Sequence, residues 1–166
     1  IDTNNDQKAD VAYAGDRNGN LWKFDLSDAD PGNWSVSNGK PLFQTAMTDG
    51  VRQSITTPPE VGKHKILGYL VYVATGELFD LDDATDTTIQ SAYGIWDNDW
   101  DADDMPISLA SLTGQTLMSK THAGGASVRV ATDNAVDWDT QRGWVTPLLV
   151  ADAIELDYGE RVLQKI

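Results

Sequence analysis

Four oxygen-bearing side chains, Asp2, Asn4, Asp6 and Asp10, stand at positions one, three, five and nine of a short loop. A hard divalent cation takes six to eight oxygen ligands at about 2.3–2.6 Å, drawn from carboxylates, amides, carbonyls and water. Side chains that alternate along a tightly curled backbone can converge on one point, and the carbonyl of Lys8 at position seven can join them. The chemistry this spacing predicts is calcium (Ca2+) coordination by Asp2, Asn4, Asp6, Lys8 through its carbonyl, and Asp10. Gln7 occupies position six, where such a loop is expected to carry glycine. Tyr13 at position twelve means that the bidentate Glu of an EF-hand loop is missing. Asp10, with a water, is then expected to close a nine-residue site. The competing reading is a solvated turn, because Asn and Asp favour turns through local hydrogen bonds.

The elements that must hold this loop read as strands. An apolar run, Val11 to Ala14, follows at once, then a turn at Asp16–Gly19 and a second strand at Leu21–Leu26, so the loop opens a β-hairpin. Residues 27–41 read as a loop, with a short strand at Leu42–Ala46. Pro58–Pro59 fits a sheet edge. Tyr69–Ala74 is the strongest buried-strand signal, and Ser91–Trp96, Ser127–Thr132, Gly143–Leu149 and Glu160–Ile166 are further strands. Ile107–Met118 is the one helix candidate. Val11–Asp16 and Val71–Gly76 form a loose repeat, each followed by an apolar-aromatic strand (Leu21–Phe24 and Leu78–Phe79). Many short strands separated by Gly, Asp and Asn turns predict an all-β sandwich, barrel or propeller. At about 40–45 residues per four-stranded blade, the length holds three to four blades.

Composition narrows the classes. The 166 residues carry 12 basic and 26 acidic side chains, a formal net charge of −14. Such an excess repels phosphates and argues against nucleic-acid or anionic-membrane partners. No apolar run is long enough for a membrane helix, and cysteine is absent, which excludes thiolate sites and disulfides. The start on Ile1 without a leader and the stop within an apolar run predict a piece of a longer chain.

Catalytic signals are weak. His64 and His122 have no metal-ligand spacing; His64 reads as a surface residue between two lysines. No nucleophile elbow, P-loop or dinucleotide fingerprint is present, and no enzyme activity is expected. The acidic runs Asp97–Asp104 and Asp80–Asp86 read as solvated loops rather than second cation sites. Of the six tryptophans, most are expected in packing, with Trp100 and Trp138 the exposed ones.

The block Asp2-x-Asn4-x-Asp6-x-x-x-Asp10, followed by Tyr13-Ala-Gly-Asp16 and Gly19-Asn-Leu-Trp-Lys-Phe-Asp-Leu26, resembles the C-terminal β-propeller of the PilY/PilC type IV pilus tip-associated adhesins. Tyr72-Val-Ala-Thr-Gly76, Gln90-Ser-Ala-Tyr-Gly-Ile-Trp-Asp97, Val136-Asp-Trp138, Gln141-Arg-Gly-Trp144 and Gly159-Glu-Arg-Val162 agree in order. The resemblance implies that residues 1–166 are part of a single β-propeller domain, a fragment with several antiparallel four-stranded blades and little helix. It implies an exported protein of the bacterial surface, pilus tip or outer membrane, acting in pilus biogenesis, twitching motility and adhesion. Partners implied are pilins or minor pilins, and host-cell or abiotic surfaces. The Leu-Trp-Lys-Phe-Asp strand also resembles blades of quinoprotein-like propellers, so a quinoprotein-like propeller of a periplasmic oxidoreductase is one alternative, and an integrin-like, calcium-stapled protein-binding propeller is another. An excised set of blades is also expected to self-associate through bare strand edges.

Overall fold

The computed structural model describes residues 1–48, 50–100, 102–150 and 159–163. The chain enters through the oxygen loop into β1 (Val11–Gly15), which pairs antiparallel with β2 (Asn20–Asp25). The turn between them forms because the Asp16 carboxylate accepts from Asn20 N (2.9 Å), Asn20 Nδ2 (2.8 Å) and Trp22 Nε1 (2.8 Å). Burial raises the Asp16 pKa, but these donors outweigh it and hold the carboxyl below its ordinary range. Gly19 has φ +73°, and a Cβ there would lie 2.2 Å from Thr45 Oγ1, so glycine is required. The free edge of β2 is shared by two short strands, β3 (Ser35–Val36) at one end and β4 (Phe43–Gln44) at the other. Together they make a four-stranded sheet.

A small hairpin, β5 (Met47–Thr48) with β6 (Val51–Arg52), leads on to the second sheet. That sheet is built from β7 (Glu60–Lys63), β8 (Tyr69–Ala74), β9 (Ser91–Asp97), β10 (Thr113–Gly114) and, after the separate hairpin β11 (Leu117–Thr121) and β12 (Ser127–Ala131), β13 (Gly143–Pro147). Its order is β10-β13-β9-β8-β7. Only β10 runs parallel to its neighbour. Pro58 and Pro59 lie just ahead of β7, which is an edge strand, where missing amide donors are tolerated.

The two sheets pack face to face. Leu21, Leu42 and Phe43 from the first meet Val71, Val73, Tyr93 and Ile95 from the second, with Ile55, Ile107 and Leu112 filling between. The Phe43 and Tyr93 rings sit 5.0 Å apart. Each fully buried side chain of this size contributes about 1.5–3 kcal/mol by leaving water. Val71 and Val73 alternate with the less buried Leu70 and Tyr72, the period-two pattern of a strand with one face in the core, whereas β9 is buried on both faces from Tyr93 to Asp97. The architecture is all-β and blade-like, with open sheets; the described residues supply two blade-sized sheets and two hairpins.

Several expectations are corrected. Ile107–Met118 is not a helix: Ser108 Oγ accepts from Ala110 N and caps a single 3-10 turn at Leu109–Ser111, after which β10 and the start of β11 follow. Leu78–Phe79 is no strand; both residues are exposed in the loop after β8, whose partners are β7 and β9. Glu160–Leu163 is not a strand either. There Arg161 turns inward to donate to the carbonyls of Glu77 (2.8 Å), Asp83 and Asp86 (2.5 Å). Residues 164–166 lie outside the described residues.

Candidate metal centre

The loop from Asp2 to Asp10 closes on itself before β1 begins. The Ile1 nitrogen donates to the Val11 carbonyl at 2.6 Å, and the Ile1 carbonyl accepts from Asp10 N (2.8 Å) and Val11 N (3.1 Å). Between these ends the backbone is curled by its own oxygen side chains. Asp2 accepts from Asn5 N (2.6 Å) and Gln7 N (2.8 Å), Asn4 Oδ1 from Asp6 N (2.8 Å), and Asp6 from Lys8 N (2.9 Å). Asn5 and Gln7 take positive φ (64° and 71°). The bend at position six is therefore made by a residue with a Cβ, a conformation that Asn adopts readily and Gln seldom.

Asp10 is the buried member, 5% exposed. Its Oδ2 accepts from Thr3 N (2.7 Å) and Thr3 Oγ1 (2.6 Å), and its Oδ1 from Asn4 Nδ2 (3.3 Å). These donors, the Thr3 hydroxyl first, hold its carboxyl below the ordinary range. The structure thus brings Asp10, Asn4 and Thr3 together and places Asp2 and Asp6 on the same curl against backbone amides. Among the described residues, no three acidic or histidine side chains close on a single point, and no amide donates to the Lys8 carbonyl. The donor set is all oxygen, the kind a hard cation takes, and the oxygen side chains alternate along the curl. The residues fit calcium in chemistry and order. Thr3, the anchor of Asp10, was missed in the sequence because position two of such a loop has no expected ligand.

Beside this loop, β2 presents a buried cation. Lys23, 8% exposed, reaches Asp97 Oδ2 at 2.9 Å and Asp99 Oδ1 at 2.5 Å. Tyr13 of β1 donates its hydroxyl to the same Asp97 oxygen at 2.5 Å. Burial opposes the lysine charge, but the two aspartates outweigh it and raise the Lys23 pKa. Burial and the Asp97 charge push the Tyr13 hydroxyl up, so it stays a donor. Asp97 is 1% exposed, which corrects the view of this run as solvated at its start. The Lys23 ammonium occupies the position between Asp97 and Asp99. Its signal was present in the sequence: Leu21 and Lys23 share the inward face of β2, and an inward lysine demands a buried acid.

The aromatic expectations also change. His64 is half-buried, its ring 4.6 Å from Trp96 and 4.3 Å from Trp138. Trp100 and Trp138 are half-buried against Trp96 at 5.3 Å and 5.5 Å, and Arg142 lies 3.8 Å over the Trp100 ring. Trp34 is the exposed tryptophan. Burial, with the charge of Lys65, lowers the His64 pKa. The flanking acids hid this cluster, because a local hydrophilic context does not reveal a ring folded back onto the sheet. The Asp80–Asp86 run is solvated as expected, its carboxylates capping local amides.

Comparison with known proteins matches residues 1–134 to the PilY1 β-propeller domain family. The type IV pilus biogenesis factor PilY1 of Pseudomonas aeruginosa strain UCBPP-PA14 is 36% identical over 169 residues, covering 82% of this chain and 15% of that protein. The PilY1 of strain PAO1 is 33% identical, over 98% of this chain and 17% of its own length. A PilY1 homolog from Xylella fastidiosa is 31% identical, over 90% of this chain and 10% of its own length. The crystal structure of the P. aeruginosa PilY1 C-terminal domain superposes with a TM-score of 0.77 at 31% identity, covering 92% of this chain and 38% of that one. The chain therefore spans a minor part of the relatives it matches.

Proposed function

The chain belongs to the PilY1 β-propeller family, and from that premise we propose that it serves as the calcium-binding propeller segment of a pilus-associated surface protein. In this role it acts in pilus biogenesis, twitching motility and attachment, exported to the cell surface or pilus tip, with pilins or minor pilins as protein partners. The observation that carries the calcium reading is the curled all-oxygen loop closed against the start of β1. Asp2, Asn4, Asp6, the Lys8 carbonyl and Asp10 would hold the ion. A bound calcium ion would supply two positive charges among three carboxylates that otherwise repel one another. Asp10 sits at the junction of loop and strand, so loop order is passed directly to the hairpin.

Calcium that binds only the folded chain raises its stability by mass action, by about 2.7 kcal/mol at one hundred times the dissociation constant. Thermal unfolding in millimolar calcium should therefore show a higher midpoint than in chelator, and Asp10→Ala should remove the difference. Calorimetric titration of wild type and Asp6→Ala should show heat of binding weakened in the variant. Coincident melting curves with and without calcium would overturn the reading. The pilus role is tested separately, by counting surface pili and twitching zones in a strain whose parent gene carries Asp10→Ala.

A further inference from the structure

A cleft of about 270 Å³ lies between the β5–β6 hairpin and the loop that follows β8, well away from the oxygen loop; Val51, Arg52, Glu77, Asp86, Thr88 and Gln90 line it. Its lining offers acceptors at Glu77, Asp86 and Gln90. Arg52 is engaged elsewhere, donating to the Thr45 carbonyl (2.5 Å) and Gln44 Oε1 (3.2 Å). Glu77 uses one oxygen on Arg17 at 3.1 Å. Asp86, in the wall, accepts from Thr88 N (2.9 Å) and Thr88 Oγ1 (2.8 Å). Gln90 forms the floor, 6% exposed, with Nε2 donating to Thr88 Oγ1 at 3.1 Å. Its Oε1 has no hydrogen-bond partner among the described residues. A buried acceptor left unmet is unfavourable, so a donor that reaches it is rewarded.

The lining is mostly polar, with Val51, 71% exposed, its one apolar member. Outside the lining Phe79 is 63% exposed, its ring 5.0 Å from the Arg17 guanidinium that pairs with Glu77. The same loop already cradles one guanidinium from its other side, that of Arg161, on the Glu77, Asp83 and Asp86 carbonyls. The volume falls below the ~300–1,000 Å³ of small-molecule pockets and suits one long side chain.

We propose that this cleft is a docking site for a protein segment bearing an arginine or lysine between two apolar residues. The cationic head enters toward Glu77, Asp86 and Gln90, and the apolar neighbours rest on Val51 and Phe79. The proposal is independent of calcium binding.

The test is an amide NMR titration of the chain with N-acetyl-Leu-Arg-Leu-amide as probe. Saturable shifts are expected at Val51, Glu77, Asp86 and the Gln90 side-chain amide. Binding should weaken roughly tenfold when citrulline replaces arginine, and also in Asp86→Asn, since charge-assisted hydrogen bonds are about twice as strong as neutral ones. The exposed rim variant Val51→Ser, which should fold normally, should weaken it as well. Three results would overturn the proposal: no saturation in the millimolar range, equal binding of the Leu-Glu-Leu peptide, or affinity unchanged in both variants. Saturation by spermidine with the peptide inert would also overturn it, by assigning the cleft to a polyamine.

Discussion

An inward-pointing lysine between two aspartates ties β2, the second strand of the hairpin that follows the oxygen loop, to the neighbouring sheet. Removing one partner of a buried pair leaves the other charged in a dry site, at about 3–5 kcal/mol. Lys23→Ala should therefore lower urea-unfolding stability by that order, whereas Asp99→Asn, with its side chain 90% exposed, should cost less than about 1 kcal/mol. The double variant Lys23→Met with Asp97→Asn, which removes both charges and keeps an acceptor for the Tyr13 hydroxyl, should recover most of the loss. A double variant as unstable as the single one would contradict the assignment. Asp16 gives a second test at this scale. Its folded pKa lies below the ordinary 3.8, so its contribution is present above that value and lost as pH falls through the lower folded one. Asp16→Asn should make the acid limb of the stability curve shallower below pH 3.8, in guanidinium titrations at stepped pH. The oxygen spacing of the loop and the inward lysine were both visible in the residue order. The Thr3 anchor and the Tyr13–Asp97 bond were not, since they join residues by contact that no local pattern records.

At the scale of elements, most long strands were legible: β1 and β8 as apolar runs and β2 through its alternation, flanked by Gly and Asp turns. The five-residue β11 was not, since its first residues were read into a helix. Of the two-residue strands only β4 was anticipated, within Leu42–Ala46; β3, β5, β6 and β10 carry no periodicity of their own and exist because a neighbouring edge is there to pair with. Ile107–Met118 shows the same effect in reverse. Its helical composition is overridden once Thr113 pairs with Trp144 and Thr113 Oγ1 bonds Gln141 Oε1 at 2.5 Å. The second sheet also depends on a missing side chain. The Trp144 indole lies across Gly94, where a Cβ would come within 2.4 Å of its Nε1. Gly94→Ala should displace that ring and destabilise by about 1–3 kcal/mol, the usual range for overpacking, with a changed near-ultraviolet tryptophan signal. An unchanged spectrum and midpoint would show that the ring yields freely.

Taken whole, the molecule is two faced sheets with edges left open. Among the described residues, β1 and β7 have no strand on their outer sides. Unpaired amides and carbonyls in a row are a template for another chain. Sedimentation velocity at rising concentration should show reversible self-association, reduced by Val61→Pro in β7. A monomer at all concentrations would count against it. The net charge of −14 opposes such association, so added salt should strengthen it. Strand number and turn spacing narrowed the class to sandwich, barrel or propeller and the family resemblance selected the propeller, but the number of blades could not be read. Residue counting assumes that every segment joins a blade, and here β11–β12 stands apart as a hairpin while loops take up much of the remainder.

The pairing of residue 1 with residue 11 has a consequence for how such a domain can change over time. Residues 2–10 form a closed excursion whose two ends lie side by side, so a shorter or longer loop could be spliced there without shifting the register of β1 against β2. The oxygen loop is in that sense a removable cassette. A lineage could acquire, retune or discard it while leaving the blade beneath untouched.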